Sequence, residues 1–424
     1  GAWVLRSASG RARRIGAWLL LTALAGPLMA GCASRPGPDA LTAVETSAPG
    51  TKEHVVLVAS SRARDPRPGV FYSGERTPAL SFARVDISVP PTHKPGMIEW
   101  PKQVTPNPAT DMVVREAVYR DTEAQFSADL KAELARRPPG DRDVFLFVHG
   151  YNTLYSEALY RMTQMKEDSK SPAVPVLFTW ASRGETTDYV YDNNSATAAR
   201  DRLEETIRLV FASGAEEVTI LAHSMGNWVT VEALRQIKIS GHNVPLQKLG
   251  NIILAAPDID VDVFKSQLKR FGKPPKPFIV VVSHDDKALA FSDFIAGDKP
   301  RLGAYKNDND LVELGAVVVD MTGVKGLDDF NHGKFAQLAE MAPELQGMIM
   351  QAQSGRQAST VEVAGIQFFG LDQLRLANNA SARRTTGAAP ATATAAPATV
   401  AQEAGGDAVV DTSAQIVRAA TVPE

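Results

Sequence analysis

The sequence predicts an α/β fold built on a mostly parallel central sheet with helices on both faces. Short apolar runs rich in β-branched and aromatic residues recur along the middle of the chain, and stretches of helical spacing separate most of them. Continuous apolar strands that alternate with helices need cover on both faces, which is the pattern of a parallel sheet. The composition is that of a globular protein, 44% hydrophobic and 22% charged. A net charge of −3, with no basic cluster after Arg14, lacks the electrostatic footprint of a nucleic-acid binder.

The elements follow in order. Arg6, Arg11, Arg13 and Arg14 precede a short apolar run from Ala17 to Ala25, broken by Gly26-Pro27. The run is too short to span a bilayer, and a charged front with small residues behind it reads as an export signal. Leu28-Met29-Ala30-Gly31-Cys32 resembles the lipobox of bacterial lipoproteins, in which the cysteine is acylated and becomes the mature N-terminus. Cys32 is the single cysteine of the sequence, so no intrachain disulfide forms. The resemblance implies a signal peptide at 1–31, lipidation at Cys32, and a site in the bacterial cell envelope, anchored at the periplasmic face of the outer membrane. Residues 32–53, rich in Pro, Ser, Thr, Ala and Gly, read as a flexible tether.

A folded domain is expected over 54–353. Val55–Ala59 reads as a buried strand, and the alternation over Ala83–Val89 as a second, stopped by Pro90-Pro91. No helix separates them, so an antiparallel edge is expected. A helix is expected over 121–136. Further strands are expected at 144–148, 174–178, 217–222, 251–255, 278–282 and 315–319, with helices at 155–167, 195–212, 226–239, 260–270 and 333–350. From 354 to 424 Ala, Thr and Pro come to dominate, although a short apolar stretch remains at 361–376; this tail reads as largely disordered.

The sharpest motif is Ala222-His223-Ser224-Met225-Gly226, a match to the nucleophile elbow G-x-S-x-G. A strand that turns abruptly into a helix holds the serine in a strained conformation, and the positions two before and two after must be small. A serine hydroxyl needs a base beside it, and the chain order of this arrangement is Ser, acid, His. His242 and His284 also follow Ser224; His332, after the last strand in Phe330-Asn331-His332-Gly333, falls at the carboxyl edge of the sheet and is taken as the base. For the acid, Asp286 at a helix start after strand 278–282 is the first choice. Asp258 and Asp285 are the alternatives, with helix capping the bland reading of Asp258 or Asp260. Two N–H groups should form the oxyanion hole, from Met225 after the nucleophile and from Tyr151 in Val148-His149-Gly150-Tyr151-Asn152, with Asn152 as alternate. His149 precedes the serine and is expected to orient that loop.

His149-Gly150-Tyr151-Asn152, Trp180 after the next strand, Asp192, AHSMGN, AAPDID, Ser283 to Leu289 (SHDDKAL) and FNH occur in that order. Together they resemble the bacterial α/β-hydrolase family of unknown function numbered 900. The resemblance covers about residues 54–352. It implies an α/β-hydrolase fold, carries the acid onto Asp286 through Ser283, Asp286, Ala288 and Leu289, and implies no defined substrate. The reading is a serine hydrolase for carboxylic ester or thioester bonds, esterase or lipase-like, needing neither metal nor organic cofactor. Its partners are a small-molecule or lipid ester and, through Cys32, the membrane, with no nucleic acid. Residues 181–195 and 287–314 are expected as pocket walls, and Trp180 is either an acyl-pocket or a core residue. The rival reading is a catalytically silent envelope protein that uses the same fold to bind.

Overall fold

In the computed structural model the described residues are 35–373, apart from 242–243, 273, 296–298, 328–332, 342–346, 349–350 and 352–359. The expected signal at 1–31, Cys32, His242, His332 and the tail beyond 373 lie outside them.

Strands β1 (Lys52–Arg64), β2 (Tyr72–Val89), β3 (Val113–Arg120), β4 (Val144–Val148), β5 (Val174–Thr179), β6 (Val218–His223), β7 (Leu249–Ala255), β8 (Phe278–Val282), β9 (Val317–Asp320), β10 (Val361–Val363) and β11 (Ile366–Phe369) form one sheet, in the order β10-β11-β9-β8-β7-β6-β4-β5-β1-β2-β3. The pairs from β1·β5 through β8·β9 are parallel. The two margins are antiparallel: β1·β2·β3 on one side and β9·β11·β10 on the other. The central strands are apolar because both faces are covered. On one face α1 (Glu123–Ala135), α3 (Tyr189–Ala212), α4 (Gly226–Ser240) and α5 (Val261–Phe271) bury Phe126, Leu203, Val229 and Phe264 against Leu57, Leu146 and Ile220. On the other, α2 (Tyr155–Ser169) and the 3₁₀ turn Lys334–Ala339 bury Leu159, Met162 and Phe335 against Val58 and Phe147. Alternate residues of one strand thus serve opposite cores.

The fold class and the antiparallel first edge agree with the sequence reading. Other boundaries are corrected. Residues 35–51 are no free tether: Leu41 and Val44 are buried and hydrogen-bond to Gly69 and Val114, and Arg35 pairs with Glu157 at 3.2 Å. Ordinary tether composition hides three apolar residues that cover the edge of the second core. The domain also runs past 353, because β11 pairs with β9 and buries Ile366 and Phe368. Strand β3, rich in charge at a sheet edge, lacks the clean alternation that would announce it. The expected helix 333–350 begins as the 3₁₀ turn Lys334–Ala339.

The connectivity sets up the site. From β4 the chain moves outward to β5, then returns past β4 to add β6 on its other flank. Open α/β sheets form their crevice where the strand order reverses in this way, at the carboxyl ends. The loop after β4 and the turn after β6 meet there.

Candidate active site

Ser224 sits between β6 and α4 at φ 52°, a left-handed conformation that a residue with a side chain rarely adopts. Its backbone is held from several sides. The Ser224 N–H donates to the Ala255 carbonyl at 3.0 Å. The Ser224 carbonyl accepts from the backbone N–H groups of Asn227 and Asp258 and from Asn227 Nδ2 at 2.9 Å, and the same amide reaches Ala255 O at 2.9 Å. Asn227 therefore ties the turn to β7. Two glycines allow the close approach. A Cβ on Gly226 would stand 2.2 Å from the His149 carbonyl oxygen, and one on Gly150 would stand 2.6 Å from Ser224 Cβ. The elbow and the 149–153 loop are pressed together with no room for a methyl group.

The loop is fixed by a buried polar network. Arg62, wholly buried, donates from Nε to Thr179 Oγ1 at 2.8 Å and from its other nitrogens to the carbonyls of Ser182 (2.7 Å), Thr153 (2.8 Å) and Ser73 (3.1 Å). Burial pulls its pKa down to about 10, so it remains a cation at neutral pH. Asp192, also buried, accepts the Asn152 N–H at 3.0 Å, the Ser182 hydroxyl at 2.5 Å and the Arg183 N–H at 3.0 Å. Ser182 in turn accepts the Thr153 N–H at 2.9 Å. The charges of Arg62 and Asp192 thus flank the loop and hold its backbone from two directions.

His149 belongs to this framework. Its Nδ1 meets Gly150 O at 2.9 Å, which requires a proton on Nδ1, and its Nε2 accepts from Trp180 N–H at 3.2 Å and from Thr179 Oγ1 at 2.9 Å. This tautomer is assigned from the partners. Burial, and after it the Arg62 charge, push the ring's pKa well below the ordinary histidine value. His149 is neutral and orients the loop, as expected from its place before the serine. Trp180 is core: it stacks on His149 and donates its indole N–H to the His149 carbonyl at 2.8 Å.

The loop N–H groups divide by partner. That of Asn152 is taken by Asp192. Those of Tyr151 and Met225 have no acceptor among the described residues. The Tyr151 ring packs edge-on against Tyr189, with centroids 5.2 Å apart.

The three candidate acids have different surroundings. Asp258 is buried and receives Ser292 Oγ at 2.6 Å, Tyr189 Oη at 3.1 Å and Arg301 at 3.3 Å. Asp285 is bound by Lys334 Nζ at 2.7 and 3.0 Å; partial burial pushes its pKa up, but hydrogen bonds from Lys334 and Ser283 bring it below the usual range. Asp286 is buried just after β8, where its Oδ1 accepts the Leu289 N–H at 3.0 Å in the first turn of α6 (Lys287–Ile295). The capping role falls to Asp260, whose Oδ1 accepts from Asp262 and Val263 at the start of α5.

The residues 122–349 match the family model of alpha/beta hydrolases of unknown function (DUF900), more than half of the chain. The chain belongs to this family. No curated protein matches the chain. Within this alpha/beta hydrolase, the elbow, the HGYN loop and Asp286 all fall inside the matched stretch, whereas Arg62 precedes it. The sequence held a signal for Arg62 in a cation that closes a strand begun by the apolar run Val55–Ala59; it held none for the commitment of Lys334 to Asp285. Among the described residues, His284 Nε2 lies 3.4 Å from Asp320 and 3.8 Å from Asp308, a group of metal-type ligands.

Proposed function

We propose that this alpha/beta hydrolase is a serine hydrolase of ester-like bonds. Ser224 Oγ attacks the carbonyl carbon while His332 takes its proton. The C–O or C–S bond to the leaving group breaks, and His332 returns the proton to it. Water activated by the same imidazole then releases the acyl group and restores Ser224. Asp286 is the acid that orients His332, and the N–H groups of Met225 and Tyr151 stabilise the negative oxygen. The observation that carries the reading is the left-handed Ser224 at the strand-to-helix apex, pressed against a loop whose Tyr151 N–H has no acceptor among the described residues. Its burial just after β8, in the first turn of α6, supports giving the acid role to Asp286.

A fluorophosphonate probe tests this. Labelling of wild type and none of Ser224→Ala is the expected result, together with loss of p-nitrophenyl ester hydrolysis. Absence of labelling in both proteins would instead favour a silent binding protein. The anchor is a separate proposal. Among the described residues no helix is long and apolar enough to cross a membrane, and the lipobox-like Leu28–Cys32 supports attachment through acylated Cys32. Cys32→Ser is expected to move the protein from the membrane fraction to the soluble one, and unchanged fractionation rules the anchor out.

A further inference from the structure

A cavity of about 190 Å³ opens against the elbow, on the side of α2 and the 3₁₀ turn. Gly150 and His223 form its inner wall, and a Cβ on Gly150 would touch Ser224. Gly333, the neighbour of the base His332, lines it as well. Its apolar surface comes from Ile98, Trp100, Phe147, Ala158 and Phe335. Residues 181–195 and 287–314, the expected pocket walls, do not line it.

Two charged side chains reach the cavity, and both are engaged with protein. Arg161 donates to Gly96 O at 3.3 Å and to Gln164 Oε1 at 2.9 Å, and Glu157 accepts the Leu154 N–H at 2.8 Å and pairs with Arg35. The cavity therefore suits an uncharged group. The outer wall is also fixed. Trp100 packs edge-on against Tyr160 at 5.1 Å. Glu99, beside it, holds His93 at 2.8 Å, and the other ring nitrogen of His93 meets Asp168 of α2 at 2.8 Å. Met112 N–H donates to the Glu99 carbonyl at 2.7 Å. This strap, residues 92–112, cannot yield without breaking these part-buried hydrogen bonds.

We infer that this cavity receives the acyl portion of the substrate and restricts it to short, uncharged chains, with Trp100 setting the limit. An apolar protein cavity of about 150 Å³ holds benzene, so this one takes a chain of about four to six carbons. Ile98 and Trp100 precede the stretch that the family model matches, so the limit is set by the segment leading into β3. The inference rests on the serine-hydrolase reading.

The test is kcat/KM of the full chain on p-nitrophenyl acetate, butyrate, hexanoate, octanoate and decanoate, for wild type, Trp100→Ala, Ala158→Leu and Ser224→Ala. Wild type is expected to peak at butyrate or hexanoate and to fall by about tenfold or more by decanoate. Trp100→Ala should raise the ratio of decanoate to butyrate by about tenfold, and Ala158→Leu, which fills the cavity, should move the optimum toward acetate. The two variants shift preference in opposite directions, which a general loss of folding does not do. Ser224-dependent turnover with no length limit, or with ratios unmoved in both variants, overturns this inference alone. Turnover that is absent or independent of Ser224 overturns the hydrolase reading and the inference with it.

Discussion

Ser224, Gly226 and Gly150 are local requirements of one contact, and the sequence displayed them as such: small-x-Ser-x-small before a helix, and His-Gly after a strand. The rest of the residue-scale machinery was visible only in part. Asp192 occurs in the family pattern, but its task, holding the Asn152 N–H, depends on a residue forty positions earlier. Asp192→Asn is expected to reduce kcat on a short ester by about 10²–10³ with KM little changed, since it loosens the loop that carries the Tyr151 N–H. Steady-state kinetics beside an unchanged circular dichroism spectrum checks this, and a change confined to KM counts against it. Arg62→Lys offers three donors where five nitrogen contacts now exist, and each buried carbonyl left unsatisfied costs about 1–3 kcal/mol. Urea unfolding should show a loss of about 3 kcal/mol or more.

Elements, by contrast, were mostly legible. Helices α2, α4 and α5 begin and end within two residues of their expected bounds, because each carries its own apolar face and ends in a glycine or a left-handed residue. The strap before β3 was not legible, since its order comes from a titratable residue reaching another element. Burial alone would depress the His93 imidazole, but the hydrogen bonds it donates to Asp168 and Glu99 raise its pKa to about 9 from the ordinary 6.5. A raised folded-state pKa means that the stabilisation is fully present below 6.5 and is lost as pH rises through about 9. Wild type should therefore lose stability relative to His93→Gln between these limits. Urea midpoints measured at pH 6 and pH 9.5 would show it, and parallel curves for the two proteins would dismiss the strap as a pH-dependent clasp. At the other side of the sheet, Asp260→Ala removes the cap of α5 and should cost about 1 kcal/mol without altering turnover.

At the scale of the whole molecule, the described domain is wider than composition suggested at both ends. Residues 35–51 cover one core, and β10 and β11 complete the sheet beyond β9. Ending the chain at residue 353 should expose Ile366, Phe368 and Leu371 partners and cost about 5 kcal/mol, at about 1.5–3 kcal/mol for each buried side chain. A chain ending at 382 should melt like the full one; equal melting of the 353 truncation would show that the last two strands are dispensable. The sequence by itself determined the fold class, the alternation of strands and helices from β4 to β9, and the place of the strand-to-helix turn at Ser224 and of the His149-Gly150 loop, since periodicity and small-residue spacing act over a few neighbours. The tertiary structure alone decided which aspartates are bound to cations, how Arg62 and Asp192 fix the loop, and which segment walls the cavity. Those contacts join residues many tens of positions apart, and nothing in local spacing encodes which of several equivalent charges will be brought within hydrogen-bonding distance when the sheet closes its core.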